Sequence, residues 1–220
     1  MRKTVFMLAI AGTMLFASCG NSGNKVESQD AQTVEQATGD QVVEFLKVMD
    51  GSHVAWRASH LAGVQPRWGR AFIKEAIVKV ENSQVVNAKV VMDMNNFTVE
   101  NFGDDAETTQ KLLTHLQSDD FFKIASFPTS TFEITSITAT EGDFNSSVTG
   151  NLTILDVTKS ITFKANISVS ENEVSIKSED FVVDRRDWGL TYNTEGTVGV
   201  PTDYLIADEV GFTIDVKMSK

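Results

Sequence analysis

The sequence predicts an all-β protein, an eight-stranded antiparallel barrel with one inserted α-helix. Three observations carry this reading. Apolar and polar residues alternate strictly over long stretches, short polar turns separate those stretches, and one segment alone changes to helical spacing. In the clearest alternation Ile161, Phe163, Ala165, Ile167 and Val169 share one face, and Ser160, Thr162, Lys164, Asn166 and Ser168 share the other. Residues 209–218 repeat it, with Val210, Phe212, Ile214, Val216 and Met218 opposite Glu209, Gly211, Thr213, Asp215 and Lys217. Such patterns mark half-buried strands. Weaker versions occupy residues 53–61, 70–80, 84–94, 130–137, 144–155 and 173–184. Turns are expected at Glu81-Asn82-Ser83, Glu141-Gly142-Asp143, residues 156–159 and Glu171-Asn172.

Each of these strands has one face to hide. Closing the sheet hides all of them at once and leaves no unpaired edge, whereas a two-sheet sandwich is the second arrangement that fits. The helix is expected where Asp104-Asp105-Ala106-Glu107 leads into Leu112, Leu113 and Leu116, one stripe behind an acidic first turn.

Ahead of the strands, Met1-Arg2-Lys3 and an uncharged run to Ser18 form a signal peptide, too short for a permanent membrane span. Leu15-Phe16-Ala17-Ser18-Cys19 resembles a bacterial lipobox, which makes Cys19 the acylated mature N-terminus. An ordinary signal peptide with a chance cysteine is the other reading. Acylation disposes of the single thiol, which has no partner for an internal disulfide. Residues 19–41 are polar and read as a flexible tether, with a short helix from Gln29 to Ala37 as the alternative. The barrel domain is expected over residues 42–220.

Composition narrows function. The chain has 19 basic and 30 acidic residues; loss of Arg2 and Lys3 with the leader leaves 17 against 30, a net charge of −13. Nucleic acid is an unsuitable partner for that surface. In the stretch from Ser118 to Thr129, Asp119 and Asp120 suggest an acid pair. A catalytic pair flanks a bond at roughly 5–9 Å, while adjacent residues point apart, so they are expected to cap a corner. Phe121 and Phe122 then pack the helix on the barrel, and Pro128 holds Phe127 extended. His53, His60 and His115 lack a zinc spacing, and His60 is expected to hydrogen-bond near the barrel end. With no nucleophile elbow, phosphate loop or Cys-x-x-Cys pair, neither catalytic residues nor a metal nor a cofactor is expected.

Residues 112–135, LLTHLQSDDFFKIASFPTSTFEIT, resemble the signature of the YceI-like family, exported lipocalin-like proteins that bind polyisoprenoids. Residues 91–96, 150–163 and 184–190 resemble further family segments in the same order. The resemblance implies a barrel with an apolar tunnel for an isoprenoid tail. The inward candidates are Val54 and Trp56, Phe132 and Ile134, and Phe144 and Val148. Leu152 and Ile154, Phe163 and Ala165, and Phe212 and Ile214 complete them. Head-group candidates are His60, Arg185 and Arg186, although Arg185 and Arg186 beside Asp184 and Asp187 equally make a solvated ion-pair turn. The expected function is a lipid carrier for a polyisoprenoid or quinone-like tail; the alternative is a scaffold with a filled barrel. The expected partners are a long apolar lipid, the membrane through the Cys19 anchor, and a second copy as a homodimer. The expected place is the periplasmic side of the envelope, at the outer membrane, since Gly20 supplies no Asp-type inner-membrane retention signal.

Overall fold

In the computed structural model, which describes residues 23–35 and 41–220, the alternating segments pair into one sheet that closes on itself. In chain order the strands begin with β1 (Asn24–Lys25), β2 (Gln29–Asp30), β3 (Val43–Phe45), β4 (Lys47–Val48) and β5 (His53–Ala58). Next come β6 (Arg67–Glu81) and β7 (Gln84–Phe97), helix α1 (Ala106–Gln117), β8 (Thr129–Ala139) and β9 (Ser146–Ile154). Last are β10 (Val157–Val169), β11 (Glu173–Ser178), β12 (Phe181–Asp184) and β13 (Glu209–Ser219). β3 to β5 act as one bent strand and β11 with β12 as another, so the ring is eight-stranded. Closure comes from β5, which pairs β6 on one side and β13 on the other. The expected signal peptide and Cys19 lie outside the described residues.

Local chemistry explains the elements. Asn82 and Ser83 both adopt left-handed φ, 52° and 61°, which gives the tight β6–β7 hairpin a twist that matches its strands. Asp105 caps α1 by accepting from the Thr108 amide at 2.9 Å, and the helix stops at Ser118. One turn differs from expectation. The β9–β10 reversal uses Leu155 and Asp156, so Val157 to Lys159 are already strand. The expected strand over 173–184 is likewise interrupted, at Glu179 and Asp180.

The barrel has two unlike ends. Short turns close one end, where Phe45, Val80, Val85, Val174 and Met218 are all buried and fill the interior. The long connections 59–66, 98–128 and 185–208 all lie at the other end, and α1 sits among them.

The tether expectation needs correction. Residues 23–35 run along the barrel as a strap. The β10–β11 ladder ends at Ala165 opposite Ser178, closed off by Glu179 N donating to Lys164 O at 2.9 Å. Beyond that point β12 leaves β10, and both strands would present bare edges. β1 pairs parallel to β12 and β2 pairs antiparallel to β10, so the strap spans the seam. Val26, 8% exposed, joins the core, and its amide donates to Val182 O at 2.8 Å. Gln32 and Asn151 bond each other twice, at 2.9 and 2.7 Å. The composition of 20–40 offers too little apolar surface to order by itself; the free edges of the seam order residues 23–35. We expect Val26→Asp to lower stability by about 3 kcal/mol, from lost burial and a stranded carboxylate. Urea denaturation checks this, and an unchanged midpoint would mean the strap is detached in solution.

Candidate functional site

The inward side chains of the loop-end half do not meet at the centre. They line a cavity of about 220 Å³. Pleat alternation places its walls: Val54 and Trp56 from β5, Phe132 and Ile134 from β8, and Val148, Leu152 and Ile154 from β9. Phe163 comes from β10, and Phe212 and Ile214 from β13. Ile161, Ile176 and Phe181 line it as well, and Met92, Met94 and Phe97 of β7 supply a soft wall. Leu116 of α1 with Phe121 and Phe122 of the Ser-Asp-Asp-Phe-Phe corner roof it, beside Leu190 and Ile206. The phenylalanines of that corner pack as expected, whereas Asp120 bonds a side chain and not a backbone N–H. Asp120 meets His115 Nε2 at 2.9 Å, and Phe121 packs edge-on to His115 with centroids 5.1 Å apart.

Two inward candidates fall elsewhere. Phe144 is half-buried in the β8–β9 connection, where Thr140 Oγ1 donates to its carbonyl at 2.6 Å. Starting the strand at residue 144 instead of Ser146 misassigned it. Ala165 is fully buried but sits lower, in the packed half, opposite Ser146 and Ser178.

An aromatic row crosses the cavity. Phe132, Phe163, Phe181 and Phe212 follow one another with centroids 5.6, 4.8 and 5.9 Å apart, and the Phe163–Phe181 pair is stacked at 2°. Polar residues on the walls are few, and their bonds turn to the backbone. Ser130 Oγ donates to Thr153 O at 2.6 Å and Trp56 Nε1 to Thr98 O at 3.1 Å.

Among the described residues Arg185 is the one charged group on the wall, and it is 4% exposed. Its Nε donates to Ala207 O at 3.1 Å, and Nη1 to Leu190 O at 2.6 Å. Nη2 donates to Tyr192 O at 3.0 Å and Ile206 O at 3.3 Å, and lies 3.6 Å from Asp208 Oδ1. Burial lowers its pKa, opposed by the Asp208 and Asp184 charges. Four of its five N–H groups thus hold the 185–208 connection in shape, which makes Arg185 a clamp with one Nη1 N–H left over.

The other head-group candidates do not reach the cavity. Arg186 points outward and pairs with Asp184 and, at 3.1 Å, with Asp208. His60 lies in the connection after β5 with Nδ1 2.6 Å from Asp203 O, the barrel-end hydrogen bond expected of it. Trp188 is fully buried, its Nε1 donating to Leu152 O at 2.9 Å. Among the described residues no group of three or more His, Cys, Asp or Glu is placed to hold a metal.

The Arg186 bond also holds the Asp184 carboxyl below the ordinary value of 3.8, against some burial. A depressed carboxylate contributes stability above its unfolded pKa, and that stability is lost as pH falls through the folded one. We therefore expect Asp184→Asn to flatten the stability profile below about pH 4 in urea titrations; a profile as steep as the parent's would contradict the assignment.

An eight-stranded antiparallel barrel with a helix and an apolar cavity at its loop end has the lipocalin-like architecture. The chain belongs to the YceI-like family: the model of the YceI-like domain matches residues 48–218. It is 47% identical over 53 residues to a UPF0312 protein of Pseudomonas aeruginosa, a match spanning 24% of this chain and 27% of that one. The fold resembles a polyisoprenoid binding domain from Saccharophagus degradans, with a TM-score of 0.57 at 14% identity over 80% of this chain and 97% of that one. It also resembles Burkholderia cenocepacia BcnA, with a TM-score of 0.53 at 18% identity over 76% of this chain and 95% of that one.

Proposed function

We propose that this chain is a non-catalytic lipid carrier that takes up the tail of a polyisoprenoid or quinone-like lipid inside the barrel. The observation behind it is a cavity walled by hydrocarbon whose few polar neighbours are mostly engaged with backbone. The name of the Saccharophagus neighbour supports the same ligand class. The lipobox resemblance supports an anchor at Cys19, which would hold the carrier at the periplasmic side of the outer membrane where such tails reside.

Magnitudes define the ligand further. A cavity of about 150 Å³ holds one benzene ring, so 220 Å³ accommodates only a tail end. Two isoprene units bury about ten carbons, worth roughly 8 kcal/mol gross. Association itself costs about 4–15 kcal/mol. Useful affinity therefore needs a longer tail, seated as Met92, Met94 and the phenylalanine row adjust their rotamers. We expect affinity to rise with the number of isoprene units.

Native mass spectrometry and solvent extraction of Cys19→Ala protein test the reading. An apolar ligand bound one-to-one, or taken up on adding prenols, is the expected result. A clean apo mass that rejects prenols of every length would overturn it in favour of a filled-barrel scaffold, which the phenylalanine row across the middle would then explain.

A further inference from the structure

The outer wall carries a second concavity on the far side of β5 from the lipid cavity. β5 lies between β6 and β13, and their outward side chains form a grid. Ala55 stands at its centre, with Arg70 of β6 and Thr213 of β13 directly opposite. His53 and Arg57 flank Ala55 along β5, and Trp68 lies opposite Arg57. A single methyl group ringed by longer side chains makes a dimple of about 360 Å³.

The surrounding arginines are drawn away from the floor. Arg57 lies over Gly211, where any Cβ would collide with the guanidinium, and pairs with Asp180. Arg70 Nε donates to Glu100 Oε1 at 2.8 Å. Each cation at the dimple is thus met by a carboxylate. Bonding capacity nevertheless remains: the Nη groups of Arg70 and Oε2 of Glu100 have no hydrogen-bond partner among the described residues. His53 directs Nδ1 to Gly51 O at 2.7 Å, which leaves Nε2 available. Trp68 is 45% exposed, a large apolar side chain that the fold does not bury.

We propose that this dimple binds a neutral sugar, one pyranose unit of a polysaccharide. An apolar floor and an exposed indole suit the C–H face of a pyranose. Donors and acceptors interleaved around them suit its ring of hydroxyls, each of which gives and takes a hydrogen bond. A phosphate or other anion is disfavoured, because Asp180 and Glu100 already balance Arg57 and Arg70 and would repel it. Trp56 borders both hollows, but the dimple's floor and indole come from Ala55 and Trp68, which the lipid cavity does not use, so either reading can fail without the other.

Isothermal titration of the full chain with tetrasaccharides of N-acetylglucosamine, glucose and galactose tests the proposal. Saturable binding of at least one is expected, and Trp68→Ala should weaken it about tenfold or more, as loss of an aromatic anchor does. Ala55→Leu fills the floor from the solvent side and should abolish binding while the melting temperature stays that of the parent. The proposal is overturned if none of the three sugars binds, if Ala55→Leu binds as the parent does, or if inorganic phosphate displaces the sugar.

Discussion

Arg185→Met is expected to cost the barrel about 3–5 kcal/mol, the range seen when one member of a buried charge pair is removed. The guanidinium holds four carbonyls, those of Leu190, Tyr192, Ile206 and Ala207, and stands beside the buried Asp208. Methionine preserves the apolar stem and removes every donor. Four carbonyls then lose their donor and Asp208 loses a counter-charge, and each group left unsatisfied away from water carries a desolvation cost. Arg185→Lys should recover little of the loss, because one ammonium on a flexible stem cannot reach donors spread around a planar fork. The consequence extends to function, since Leu190 and Ile206 on this connection form part of the cavity roof. Urea denaturation followed by far-UV circular dichroism measures the loss. A decrease below about 1 kcal/mol would mean that water replaces the guanidinium and that the connection is not clamped.

Phe163→Glu should abolish lipid uptake and destabilise the fold together. Phe163 is 3% exposed, stacks on Phe181 and contacts Phe132, so a carboxylate there meets only rings and aliphatic chains. An ionised carboxylate cannot be held in such surroundings, so the group must bind a proton or open the seam to water. Phe163→Ala separates the two effects. It is expected to cost about 3–5 kcal/mol through the void it leaves, yet a folded protein should accept bulkier tails, because the row that narrows the cavity is broken. A folded Phe163→Glu protein that bound prenols as the parent does would remove Phe163 from the binding surface.

Much of this molecule was legible in the sequence, and the parts that were not share a cause. The strict alternation of β10 and β13 set their inward faces, and the acid-rich start of α1 announced a cap, which the structure places at Asp105. The Ser-Asp-Asp-Phe-Phe corner was readable as packing because adjacent carboxylates cannot face one substrate. Alternation failed at Phe144 because β9 begins only at Ser146, which leaves Phe144 in the connection before it. Arg185 was placed near a head group for its charge, but the carbonyls that occupy it belong to residues brought back by a long connection. The strap was invisible for a similar reason. Nothing in residues 23–35 prefers a strand; they pair because Glu179 ends the β10–β11 ladder and leaves two edges to fill. Met92 and Met94 sat within a weak alternation, and only closure of the barrel shows that their face is the hollow one.

Methyl-resolved NMR of isoleucine and methionine residues during titration with a long prenol reports the interior directly. Met92, Met94, Ile134, Ile161 and Ile176 border the cavity, whereas Met218 is packed at the closed end and Ile77 faces outward. Shifts concentrated in the first group, with Met218 and Ile77 unmoved, are the result this structure predicts. Shifts confined to outward methyls, or none at saturating prenol, would contradict a tail-binding barrel.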